Sequence, residues 1–258
     1  MTARIAPDLV SADLLGLTTR LGLPERDLVI LAEGNTSELI ADGTIIVKTS
    51  GSSMQNATAA NFVSVEIEPL LEVLRDPNAS QDRLTAELDA GEVDGQRVRA
   101  SIETLIHVAV RAYAPARYVA HTHPTAVVSL LASVHAETSF ADAVYSDELM
   151  VLGRSLYIPY AQPGIELGQL FLTRLGEHVE QHGEVPSLIL LGNHGIVAIA
   201  DTAEGAEAIS LMAVKSARVR LGALQAGGIA SLSAEVTAHY FDRPDFRERR
   251  AALTGTTK

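Results

Sequence analysis

The sequence has no cysteine and no tryptophan. Without cysteine there is no disulfide framework and no thiolate metal site, so any metal must be held by histidine and carboxylate. The same absence fits a cytoplasmic protein, which is the expected compartment. Aromatic residues make up only 4% of the chain, which leaves little to stack on bases. Cations are scarce: 20 Lys and Arg stand against 32 Asp and Glu, a formal net charge of −12. That argues against nucleic acid or an anionic membrane as partner, since both require surplus positive charge. An anionic small molecule would need a local pocket of backbone N–H groups or a few cations. No apolar run reaches membrane-spanning length, and residues 1–8 carry no apolar core of the signal-peptide type.

What is present suits one globular domain over residues 1–258, with 47% hydrophobic and 20% charged residues. There are no internal repeats and no interdomain linker. The chain is organised around Tyr118-Val119-Ala120-His121-Thr122-His123-Pro124. If this run is a strand, His121 and His123 point to one side, with Cβ atoms roughly 6.5–7 Å apart. Two imidazoles across that gap can share one metal ion at about 2.0–2.1 Å each. The spacing fits equally a pair of polar histidines at a strand end, so a third ligand is needed. Gly192-Asn193-His194-Gly195 supplies a candidate. It is a tight turn between the apolar strands 187–191 and 196–200, and a turn has no backbone need of histidine.

Along the rest of the chain, residues 8–23 read as a helix with Val10, Leu14, Leu17 and Leu21 on one stripe. A hairpin follows over 37–48, turning at Ala41-Asp42-Gly43. Gly34-Asn35 and Ser50-Gly51 bracket it; as isolated pieces they read as two polar turns, and together as an anion cradle. Residues 61–68 alternate as a strand and 69–75 as a short helix, while 76–97 read as an acidic surface excursion with a helical turn or two. Ser101 is the expected N-cap of a helix whose stripe includes Ile102, Leu105, Ile106, Ala109 and Val110. Glu103 in its first turn is either an acid/base or a carboxylate that suits the helix dipole. His107 reads as a satisfied histidine at the core edge. Helices are expected over 125–133, 164–181 and 202–226, with a mixed acidic stretch over 134–155 and a short strand at 156–159. His178 and His182 read as structural or surface residues. The charged tail from about 240 to 258 reads as mobile or as packing on a neighbouring subunit.

Gly34-Asn35-Thr36-Ser37, Thr49-Ser50-Gly51, Ser101-Ile102-Glu103, His121-Thr122-His123-Pro124 and Asn193-His194-Gly195 occur in that order. Over about residues 8–225 the chain resembles the class II aldolase/adducin family. The resemblance implies a three-layer αβα sandwich with a central, largely antiparallel sheet. It implies Zn²⁺, or another divalent metal such as Mn²⁺, held by His121, His123 and His194. Glu103 would be the acid/base, and Gly34, Asn35, Ser50, Gly51 and Ser101 the substrate-anion contacts. Tyr145 lies where the fuculose-phosphate-type members take an acid from a neighbouring subunit. A homotetramer acting on a small sugar or sugar phosphate is expected. Glu rather than Asp at position 103 favours aldol cleavage over 4-epimerisation within the family. Ile102 stands where the fuculose-type pattern has a second Ser, which weakens the case for a phosphorylated substrate. Decarboxylation or dehydration of a small oxo-acid or sugar phosphate on the same metal is the alternative, followed by the epimerase. A non-enzymatic, adducin-like interaction module would lack the metal-binding set.

Overall fold

In a computed structural model, which describes residues 2–41 and 43–254, strands and helices alternate in short runs. The first stretch holds β1 (Ala3–Ile5), α1 (Ala12–Leu21), β2 (Asn35–Ala41), β3 (Thr44–Lys48), β4 (Phe62–Glu66), α2 (Ile67–Arg75) and α3 (Gln81–Leu88). Next come β5 (Asp89–Val93), β6 (Gln96–Arg99), α4 (Thr104–Arg111), β7 (Tyr118–Thr122), α5 (Thr125–Leu131) and α6 (Ser146–Leu152). The last are β8 (Leu156–Ile158), α7 (Ile165–His182), β9 (Leu188–Leu191), β10 (Gly195–Ala200), α8 (Ala203–Gln225), α9 (Ala234–Phe241) and α10 (Phe246–Thr254). These elements form two compact units, Met1–Val119 with Ala161–Val185, and Ala120–Tyr160 with Pro186–Lys258.

In the first unit the strand order is β1-β4-β3-β2, antiparallel at every step, with β7 following β2. Ile45 faces Val65 and Val47 faces Val63 across β3 and β4, and all four are buried. Such β-branched cross-strand pairs are what hold an antiparallel ladder. Helix α1 starts later than its apolar stripe suggests. Ser11 caps it by accepting from the Leu14 N–H at 3.0 Å, and Leu14, Leu17 and Leu21 are the residues it buries. Pro7–Leu9 instead forms a separate 3₁₀ turn. Helix α2 takes Ile67 from the expected strand, and α7 packs on α2 and α4. That packing depends on Gly168, where a Cβ would come within 2.6 Å of Leu74 and 3.0 Å of Leu105.

Residues 76–97 are more ordered than an excursion. They hold α3, capped by Ser80, and most of a two-stranded sheet of β5 and β6. Asp94 and Gly95 turn this hairpin with φ of 50° and 77°. Positive φ at both central residues is the turn that matches strand twist, and Asp-Gly is its signature.

In the second unit the order is β7-β10-β9-β8. Strands β9 and β10 pair antiparallel, and β8 and β9 parallel. Every residue of β9 and β10 is buried, as a continuous apolar run requires. Helix α8, capped by Thr202, packs on β10, α5, α6 and α10. Residues 134–155 are less irregular than expected, because 146–152 form α6. Residues 246–254 of the tail form α10 and bury Phe246 and Thr254 within this unit. The expected hairpin turn at Asp42 and the tail beyond 254 lie outside the described residues. The fold is therefore α/β, with a large and largely antiparallel sheet flanked by helices. No helix among the described residues is long and apolar enough to cross a membrane.

Candidate metal centre and acid–base site

His121 lies in β7, and His123 one residue beyond its end, where Pro124 stops the strand and α5 begins. Strand alternation turns both rings to one side, with centroids 4.7 Å apart and Nε2 atoms 2.9 Å apart. His194 comes from the turn between β9 and β10, and its centroid lies 4.9 Å from each of the other two. Two features of that turn bring it there. Asn193 takes φ of 52°, a left-handed conformation that Asn tolerates. At Gly195 a Cβ would fall 2.4 Å from the Thr122 carbonyl oxygen and 2.7 Å from His123, so only glycine lets the turn approach.

The donor set fits a divalent metal. Nitrogens of the three imidazoles lie within 4.8 Å of one another, a spacing that small side-chain shifts close to shared coordination at about 2.0–2.1 Å. His121 is fully buried, and its Nδ1 sits 2.9 Å from the Ile196 carbonyl oxygen. A carbonyl only accepts, so Nδ1 carries the hydrogen and Nε2 presents its lone pair to the centre of the triangle. Histidine ligands are commonly oriented in this way by a second partner.

Glu103 belongs to the first unit, where its surroundings are equally definite. Helix α4 begins at Thr104, three residues after the expected cap. Ser101 Oγ accepts from the Glu103 N–H at 3.3 Å, and Glu103 occupies the N-cap position. Asn35 on β2 donates from Nδ2 to Glu103 Oε2 at 2.9 Å and to Ser101 Oγ at 3.2 Å. The Asn35 carbonyl oxygen meets His107 Nε2 at 2.5 Å, and His107 Nδ1 meets Ser37 Oγ at 2.7 Å. Since Asn35 Oδ1 only accepts, His107 donates through Nε2, and its Nδ1 accepts from the Ser37 hydroxyl. The chain Ser37–His107–Asn35–Glu103 thus has a single direction, which fixes the Asn35 amide and aims its NH₂ at the carboxylate. His107 is satisfied, as its sequence position suggests, but its role in holding Asn35 was missed. The available signal was that Asn35 and Ser37, two apart on a strand, share a face.

Lys48 is buried at the end of β3 and donates to the Thr49 carbonyl at 3.2 Å. Burial pushes its ammonium down to about 8, while the nearby Glu103 charge pulls it back up. Between about 8 and the ordinary 10.5, the unfolded chain therefore holds a proton that the folded chain has released. The penalty of the buried charge is fully present below about 8 and is relieved as pH rises through that window. Lys48→Met should remove this pH-dependent rise in stability. Urea unfolding of both proteins at about pH 7 and about pH 10 measures it, and equal rises would refute the assignment.

The five expected anion contacts divide into two groups. Gly34, Asn35 and Ser101 are buried, and the side chains of Asn35 and Ser101 serve Glu103. Ser50 and Gly51 are exposed and line a pocket of about 500 Å³ together with Ser52, Asn61, Arg97 and Arg99. Ile102 is exposed rather than part of the helix stripe. It lies near Gly164, where a Cβ would sit 3.2 Å from its Cδ1. The Tyr145 hydroxyl donates to the Met212 sulfur at 2.8 Å, and Tyr145 is pushed up to about 12 by burial and by nearby Glu148 and Asp147.

Comparison with known proteins identifies the family and the fold. Residues 17–221 match the family described as "Class II Aldolase and Adducin N-terminal domain". One curated relative is the uncharacterized oxidoreductase YuxG of Bacillus subtilis, 27% identical over 158 residues, which is 61% of this chain. The chain spans about a fifth of that relative's length (21%). Among solved structures, the N-terminal class II aldolase domain of a Thermoplasma acidophilum protein is 21% identical with a TM-score of 0.61, over 81% of this chain and 92% of that one. L-fuculose-1-phosphate aldolase from Thermus thermophilus is 18% identical with a TM-score of 0.59, over 85% and 100%. YgbL from Escherichia coli, for which aldolase, epimerase and decarboxylase are all named as candidate activities, is 18% identical with a TM-score of 0.64, over 88% and 95%. At these identities the likeness is one of fold.

Proposed function

The chain belongs to the class II aldolase and adducin family, and from that premise we propose that it is a metal-dependent aldolase. Its substrate would be a small ketose phosphate or related sugar, cleaved through an enediolate. The observation that carries this reading is the triangle of His121, His123 and His194, with His121 held by the Ile196 carbonyl. These three imidazoles would hold the metal, with Zn²⁺ the first choice and Mn²⁺ another. When bound, the ion supplies Lewis acidity that offsets negative charge developing on the substrate oxygens.

Glu103 would move the proton at the enediolate carbon, removing it in one direction and returning it in the other. Asn35 Nδ2 donates to Oε2 and so orients the carboxylate. Lys48 lies near enough for its charge and that of Glu103 to attract. Tyr145 remains the candidate acid for a neighbouring subunit's site; within its own chain its hydroxyl donates to Met212.

Ile102 favours a second reading. It offers no hydrogen bond where a hydroxyl would serve a phosphate, so decarboxylation or aldol cleavage of a small oxo-acid on the same metal is the alternative. Cytoplasmic location and a homotetramer remain part of the proposal.

Metal analysis separates these enzymes from an adducin-like interaction module. Protein purified without chelator is expected to carry close to one equivalent of a divalent transition metal per chain. His194→Ala should lose it, whereas His178→Ala, a substitution in α7, should retain it. Less than about a tenth of an equivalent in the unmodified protein, with no uptake of added zinc, would remove the metal reading.

A further inference from the structure

The β5–β6 hairpin does not stand apart from the Ser50-Gly51 loop. The Ser50 N–H donates to the Arg99 carbonyl at 3.0 Å, and Thr49 pairs with Ala100 in an isolated antiparallel bridge. The far strand of the hairpin is thereby stitched to the loop, and the pocket of about 500 Å³ opens between them. Three charged side chains line it, Asp94, Arg97 and Arg99. Arg97 is already committed. It pairs with Asp89 through both Nε and Nη2, and the pairing holds the Asp89 carboxyl below its usual range. Arg99 is exposed; its charge also acts on Asp89, but it makes no direct ion pair among the described residues. Gly51, with φ of 79°, has nothing within 4 Å of where a Cβ would be, so the loop is open on that side.

We propose that Arg99 is a specificity residue that recognises the anionic end of the substrate, a phosphate monoester or a carboxylate, as it enters the Ser50-Gly51 loop. This rests on the reading that the loop faces substrate. In a chain of net charge −12, an arginine outside any ion pair beside hydroxyls and open backbone is where an anion gains most. The guanidinium fork matches two oxygens of phosphate or carboxylate, which a hydroxyl cannot do. The hairpin would thus supply from β6 the recognition that Ile102 no longer offers.

The test uses the full chain at fixed ionic strength, with inorganic phosphate and acetate as probes in titration calorimetry. Unmodified protein is compared with Arg99→Ala, Arg99→Lys and Arg75→Ala, the last an exposed arginine on α2 that pairs with Glu68. Loss of charge-assisted hydrogen bonds should weaken phosphate binding by roughly tenfold to over a hundredfold in Arg99→Ala. Arg99→Lys should recover part of the loss, and Arg75→Ala should match the unmodified protein. Tighter binding of phosphate than acetate assigns a phosphate terminus, and the reverse assigns a carboxylate. Equal affinity in the unmodified protein and Arg99→Ala overturns the proposal, as does no binding of either probe at millimolar concentration or an equal loss in Arg75→Ala. Zinc uptake on the same samples keeps the two readings apart. Arg99-dependent anion binding in a protein that takes up no zinc would refute the metal reading and leave this one standing.

Discussion

Glu103→Gln is expected to keep the fold and the bound metal while lowering turnover by roughly 10²–10⁴-fold, the usual contribution of a general acid/base. The substitution is nearly isosteric. A glutamine side-chain oxygen can still accept from Asn35 Nδ2, as Oε2 does at 2.9 Å, so the chain from Ser37 through His107 need not rearrange. What is lost is the ability to take up and return a proton. The helix beneath is insensitive to the change, because α4 begins at Thr104 and the Glu103 side chain makes no capping bond to it. Steady-state kinetics on the true substrate, with metal content measured in parallel, reads the effect. A panel of ketose 1-phosphates, their unphosphorylated parents and 3-oxo-acid phosphates finds that substrate. Triose phosphate release supports the aldolase and CO₂ release the decarboxylase, while inversion at C4 without cleavage would mean an epimerase. If Glu103→Gln retains activity within a few fold of the unmodified protein, Glu103 has no place in proton transfer.

The largest stability effect is expected inside the second unit, at Arg220. Arg220 is 1% exposed, and its guanidinium meets the carboxylate of Glu148, a residue 3% exposed. Nη1 lies 2.7 Å from Oε2 and Nη2 3.0 Å from Oε1, a two-pronged pair. Nε and Nη2 also donate to the Ser139 and Asp142 carbonyls at 2.7 Å each, and the Phe140 ring stacks 4.6 Å from the guanidinium carbon. Arg220→Ala removes the cation and leaves Glu148 buried, with Ser216 Oγ and the Val144 N–H as its remaining donors. Breaking a buried pair in this way typically costs about 3–5 kcal/mol. Urea unfolding at neutral pH should show that loss, and a change below about 1 kcal/mol would mean that solvent reaches the pair. Replacing both partners, Arg220→Met with Glu148→Leu, should recover most of the stability, since no uncompensated charge then remains.

Local patterns in the sequence already determined several features. The His-x-His spacing ending in Pro124 dictated two imidazoles on one side of a strand end. The unbroken apolar runs either side of Gly192–Gly195 dictated two buried strands and a turn that presents His194. The stripe of Leu14, Leu17 and Leu21 dictated a helix, and Asp94-Gly95 already carried the hairpin that composition obscured in Asp89–Val93. Each of these depends on residues a few positions apart, where periodicity and turn chemistry act directly. Tertiary structure decided the rest. Asn35 and Glu103 are 68 residues apart, Asn35 and His107 72, and Arg220 and Glu148 72. Nothing within a short window distinguishes an asparagine that holds a carboxylate from one that lines an anion cradle, nor an arginine paired in the core from one left at a pocket wall. Those assignments arise only when strands and helices pack, because burial then requires each polar group to find its partner wherever the fold has brought it.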